Sequence, residues 1–223
     1  MRYLENKYPL QSAAPESRLW DTSLTTYPPP RDKLARYVPR DSPAEFYARV
    51  PAQWLPRDLA QARREWADAC LNSRIMRLEG RIIRFFSGDN QPTPGHPLLI
   101  PGAKLVGGAL TVVHPPDAQG SLIAQWHNPP EVVHFFEVIA RWGYPWRLMD
   151  GGRHETPVRF EGDDALVGFT AAHDYAIGND DGKLLPKWAE RAHRAYARFI
   201  LHEGVQELHR RAENRDAQAK EST

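Results

Sequence analysis

Apolar and polar positions along the chain change rhythm several times. Between residues 57 and 77 the apolar positions Leu59, Ala62, Trp66, Ala69, Cys70 and Met76 recur at three- and four-residue steps. Arg57, Arg63, Arg64, Asp68 and Arg74 fill the opposite side, a pattern that predicts one amphipathic helix. From Gly80 the period shortens to two. Residues 81–86, 109–114 and 121–126 read as strands separated by Pro- and Gly-rich loops, with a short extra strand at 98–100 or 104–106. Asn128-Pro129-Pro130-Glu131 has the form of a capping box opening a helix that Gly143 ends. That helix is apolar on most sides, so burial on two faces is expected.

Farther on, residues 146–149 and 156–161 read as strands joined by the turn Asp150-Gly151-Gly152-Arg153. Asp163-Asp164 caps a predicted short helix over 166–177. Pro186 opens a last helix whose inner face is read as Trp188, Ala192, Ala195, Tyr196, Phe199 and Ile200, with Gly204 as a bend or stop. The class that emerges is α+β: a mostly antiparallel sheet packed by three or four helices.

Residues 1–55 differ from the rest. Prolines punctuate them and aromatic residues lie between, whereas disordered tails are poor in aromatics. They read as an extended arm, followed by one α+β domain over 56–211 and a polar tail over 212–223. Trp20, Tyr27, Tyr37 and Trp54 are the arm's expected partner-binding residues, docking either on its own domain or on a neighbouring subunit.

Composition narrows the classes. The 223 residues carry 29 basic and 28 acidic side chains, a balance that argues against a nucleic-acid coat. The one cysteine excludes an intrachain disulfide and a cysteine-based zinc site, and its place on an apolar stripe marks a buried structural thiol. No apolar run approaches the roughly 20 residues of a membrane span, and the N-terminus lacks the apolar stretch of a signal peptide, so synthesis in the cytoplasm is expected. No phosphate-binding, dinucleotide, hydrolase-elbow or zinc-helix motif occurs, and the nine histidines show no tight ligand spacing. Neither cofactor nor metal is expected.

The strongest local chemical signal is His173-Asp174, which follows a run of small and apolar residues. Read on a helix, neighbours diverge, so Asp174 does not orient His173. Asp150, Glu155 or Asp163 would take that part if His173 were a general base. The competing role is architectural, with both side chains bonded to backbone. Trp126, Trp142, Tyr144 and Trp146 suggest either core packing or a sugar-stacking platform. The last helix carries five arginines among glutamates, the composition of a solvated mixed-charge face.

The stretch GFTAAHDYAIG…LPKWAERAHRAYARFILHEGV resembles the C-terminal half of a bacteriophage and prophage family of undetermined activity, marked by a His-Asp-Tyr-Leu-Tyr motif. His173-Asp174-Tyr175 and Gly204-Val205 carry the likeness. Ala176-Ile177 stand where the family has Leu-Tyr. The resemblance implies a phage-linked protein. With the arm, it leads to a first expectation of an assembly or interaction protein, bound to a protein partner or to its own copies and incorporated in a phage particle. A hydrolase using His173 as general base, with Asp174 and one of Asp150, Glu155 or Asp163 assisting, and a sugar- or cell-wall-binding module, are the alternatives.

Overall fold

The computed structural model describes residues 2–12, 19, 36–37, 44–87, 99–176 and 183–221. These form the expected α+β arrangement. An antiparallel sheet runs in the order β1 (Gln11–Ser12), β3 (Ala44–Pro51), β9 (Asp164–Ala176), β7 (Gly151–Glu155), β6 (Ile123–His127), β5 (Leu110–His114) and β4 (Lys104–Leu105). Two further strands, β2 (Arg36–Tyr37) and β8 (Val158–Glu161), also pair with β9. The helices are α1 (Arg2–Lys7), α2 (Leu59–Leu71), α3 (Arg74–Ser87), α4 (Pro130–Arg141) and α5 (Lys187–Glu221).

Strand β9 is the hub. Its first eight residues pair with the whole of β3, and its opposite edge pairs with β8 and then β7. Alternation along β9 places Val167, Phe169, Ala171 and His173 on one face and Thr170, Ala172 and Asp174 on the other. The first face packs beneath α5, whose Ala197, Ile200, Leu201 and Leu208 are buried. Helix α2 lies beside α5 and sends Trp66 Nε1 to the Gly168 carbonyl at 2.8 Å. Cys70, in the same layer, is buried, and burial pushes its thiol well up, as a structural thiol requires.

The sequence reading needs several corrections. The 166–177 helix is instead strand β9: the small residues that suggest helix packing serve a strand paired on both edges and covered on both faces. The 150–153 turn is mostly strand, because Gly151–Glu155 pairs with both β6 and β9. The 81–86 strand belongs to α3. Its alternation fits helical spacing equally, and the helix runs through Gly80, where the bare backbone lets Val106 and Gly107 approach closely.

The single 57–77 helix is two, parted at Asn72–Ser73, with Asp58 capping the first by accepting from Gln61 N at 2.9 Å. Asn128 caps nothing: Pro129 occupies the cap of α4, and the Asn128 amide donates to the Met149 carbonyl at 2.8 Å. Nor is α4 buried on two faces, since Ala140 is its one buried residue. On α5, Trp188 and Phe199 are exposed rather than inward, and the helix runs through Gly204 and on to Glu221, into the predicted polar tail.

The arm reading changes too. Ala44–Pro51, assigned to it, is a sheet strand whose Ala44, Phe46, Ala48 and Val50 enter the core. Trp54 is half-buried with its ring 4.6 Å from that of His209. The Tyr37 backbone pairs with Tyr175, while Trp20 and Tyr27 lie outside the described residues.

Candidate functional site

His173 and Asp174 are separated by the pleat. Asp174 Oδ1 accepts from Arg153 Nη2 at 2.9 Å, and both side chains are sealed from solvent. His173 points the other way, toward α5, where its ring lies 4.5 Å from that of His193. His154, from β7, projects from the same face and stacks 6.2 Å from His193. Trp126, from β6, lies 6.2 Å from His173 and 6.5 Å from His154. Register explains the grouping: Trp126, Gly152 and His173 stand opposite one another on three adjacent strands. A Cβ on Gly152 would sit 2.5 Å from the Ala172 carbonyl oxygen and 3.0 Å from the Trp126 ring, so only glycine lets the indole lie across the strand.

This face opens on a cavity of about 290 Å³. Trp126, His154, Phe169, His193, Tyr196 and Glu79 supply its aromatic and polar walls, with Met76, Val106, Leu110 and Ile200 among the apolar ones. Its α3 wall is fixed by the turn after β4, where Gly107 has φ +64° and a Cβ would meet the Gly80 carbonyl oxygen at 2.5 Å. The Tyr196 hydroxyl donates to Glu79 Oε2, tying α5 to α3 across the cavity. Burial and the Glu79 carboxylate together push that phenol well above its ordinary range.

Three of the lining residues carry buried ring nitrogens with no hydrogen-bond partner among the described residues: Trp126 Nε1, His154 Nδ1 and His193 Nε2. Burial dominates the titration of the histidines. It pushes His154 down to about 3, with His193 alongside adding to the effect. His173 is driven well below the usual imidazole range, first by burial and then by His193 and His154. His193 is lowered by burial and by the Arg194 guanidinium. All three imidazoles are therefore neutral near pH 7.

The His173-centred site takes a different shape from its sequence reading. His173 lines a separate void of about 10 Å³ with His193, Glu190 and Arg194, too small for a substrate. Asp150 meets Asp174 through backbone, its N–H donating to the Asp174 carbonyl at 2.8 Å. The tryptophan group divides: Trp126 walls the cavity, whereas Tyr144 and Trp146 stack edge-to-face at 5.1 Å in a row that runs from Phe136 to Trp188. The arginines of α5 have partners, such as Glu5 for Arg191, the Tyr8 carbonyl for Arg198, and Asp68 and Glu65 for Arg211. Among the described residues, no group of three or more His, Cys, Asp or Glu side chains is placed to hold a metal ion, and no helix is long and apolar enough to cross a membrane.

His154, His193, Glu79 and Tyr196 are the site residues that sequence reasoning missed. They lie on three elements, and among them only His193 and Tyr196, three residues apart on α5, share a local spacing. Only the alternation of Gly152 with His154, once residues 151–155 are recognised as a strand, points to the group. Compared with protein-family models, curated proteins and solved structures, the chain matches none.

Proposed function

We propose that the protein binds a small, uncharged, ring-containing molecule in the cavity between the β6–β7–β9 face, α3 and α5. The observation that carries this reading is the trio of buried, unpartnered ring nitrogens on residues lining one cavity. A buried polar atom left unmade costs about 1–3 kcal/mol, so three around one space favour a ligand, or ordered water that a ligand displaces. The indole N–H donates only, and each neutral imidazole donates or accepts according to its tautomer. The Glu79 carboxylate adds an acceptor. A volume near the lower end of ligand pockets suits a compact molecule with stacking faces and polar edges. His173, the general base that the hydrolase alternative needs, lies outside the described lining residues, which favours binding over that alternative.

A library of neutral ring compounds screened by ligand-observed NMR tests the reading. Ala109 also lines the cavity, and wild-type protein is expected to bind members that Ala109→Trp, which fills the space, does not bind. Equal binding by both proteins, or no binding by wild type, rejects it.

The interaction reading, with its phage-linked resemblance, has a separate support. Helix α4 is rich in apolar residues, yet Val132 and Phe135 are exposed, as is Trp142 just beyond its end. Replacing Phe135 and Trp142 by Ser is expected to leave stability unchanged and to abolish self-association or partner capture, read by analytical ultracentrifugation and crosslinking.

A further inference from the structure

Helix α3 carries two stripes side by side. Leu78, Ile82, Phe85 and Phe86 recur at four, seven and eight residues and form an exposed apolar stripe. The two phenylalanines at its end are 82% and 81% exposed, the most protruding apolar pair among the described residues. Arg74, Arg77 and Arg81, at three and seven residues, run along its flank and are also exposed.

None of these three arginines makes an ion pair among the described residues, in contrast to the partnered arginines of α5. The helix's one carboxylate, Glu79, is turned inward to Tyr196. The outer surface of α3 thus joins uncompensated positive charge to a convex apolar ridge.

We infer that this face of α3 is a peripheral docking surface for an anionic lipid bilayer. The apolar ridge enters the boundary between headgroups and acyl chains, and the arginines stay at the level of the lipid phosphates and carboxylates. Charge complementarity selects this occupant. A bilayer offers negative charge directly above apolar material, and it accepts a convex ridge without needing a matching groove. The surface is distinct from the cavity, which meets the helix on its buried Met76 side, with Glu79 at the border between the two.

The test is sedimentation of the full chain with phosphatidylcholine vesicles, alone or containing roughly a third phosphatidylserine. Wild-type protein is expected to bind the anionic vesicles at least about tenfold more tightly than the neutral ones, and raised salt should weaken that binding. Phe85→Ser/Phe86→Ser and Arg77→Gln/Arg81→Gln should each reduce it about tenfold or more. These side chains are exposed, so thermal midpoints should hold; if the phenylalanine variant unfolds, the arginine variant alone decides. No binding to anionic vesicles, or binding equal in the arginine variant and wild type, overturns the proposal. So does a wild-type dimer that Phe85→Ser/Phe86→Ser dissociates without vesicle binding, which would make the ridge a contact between protein copies.

Discussion

Arg153 and His154 are neighbours on β7, and Asp174 and His173 are neighbours on β9, yet each pair is divided between the two faces of one sheet. On one face the polar groups are charged and satisfy each other, as Arg153 and Asp174 do at 2.9 Å. On the other they are neutral imidazoles crowded against Trp126 and α5. Burial is deep on both faces, but the chemistry differs. A paired charge closes its site, because the guanidinium and the carboxylate compensate each other within the protein. A neutral ring tolerates burial at lower cost and keeps an edge nitrogen available to something else.

The largest effect should come from breaking the charged face. Asp174→Ala leaves a guanidinium buried without its carboxylate, and a loss of about 3–5 kcal/mol is expected in chemical denaturation. Arg153→Met/Asp174→Leu should recover much of that loss, since an apolar pair needs no compensation. If Asp174→Ala were as stable as wild type, the two faces would not differ in the way described.

The histidine face should reveal itself through pH. All three imidazoles are held below the ordinary value of 6.5, so the folded protein binds fewer protons than the unfolded chain under mildly acidic conditions. Their contribution to stability is therefore complete above about pH 7 and is lost as pH falls through 6.5 toward the folded values. Each histidine that remains neutral should cost about 1.4 kcal/mol at one unit below 6.5. Denaturation midpoints between pH 7 and pH 5 should fall accordingly, and His154→Gln should flatten the slope. A profile unchanged by His154→Gln would mean that the ring titrates normally.

Smaller effects sharpen the contrast. His173→Ala should cost roughly 1–3 kcal/mol through lost contacts and hydrogen bonding, and His173→Asn should restore part of it. If His173→Asn were fully stable but lost a measurable hydrolytic activity, the general-base role would regain priority. Asn128→Ala should lose about 1 kcal/mol, because the Met149 carbonyl loses its donor; no change would mean that water replaces the amide without cost.

How much of this was legible depends on how local each cause is. Strands β5 and β6, the start of α5 after Pro186 and the α+β class follow from alternation and punctuation in the sequence. Strand β9 misleads because a doubly paired, doubly covered strand needs no alternation of polar and apolar residues. Its Gly168, Ala171 and Ala172 fit either a packed helix or a crowded sheet. Residues 81–86 err in the opposite direction, since Ile82, Phe85 and Phe86 fit helical spacing as well as alternation and the local pattern does not choose between them. The site was hidden for a tertiary reason. His154, His173 and His193 meet only after three elements are in place, and reading His173-Asp174 as a helical pair obscured the pleat that separates them.

The pairing of β3 with β9 also has a consequence in time. Ala44 finds its partner at Ala171. At about 5–20 residues per second, a ribosome needs roughly 6–25 s to make the intervening chain. Through that interval Ala44–Pro51 exists as an apolar, strand-prone segment whose partner has not been made. The sheet cannot close until β9 emerges, so its assembly waits on a strand far downstream of β3. Such a nascent chain is exposed to chaperones, and to other copies of itself, throughout that interval.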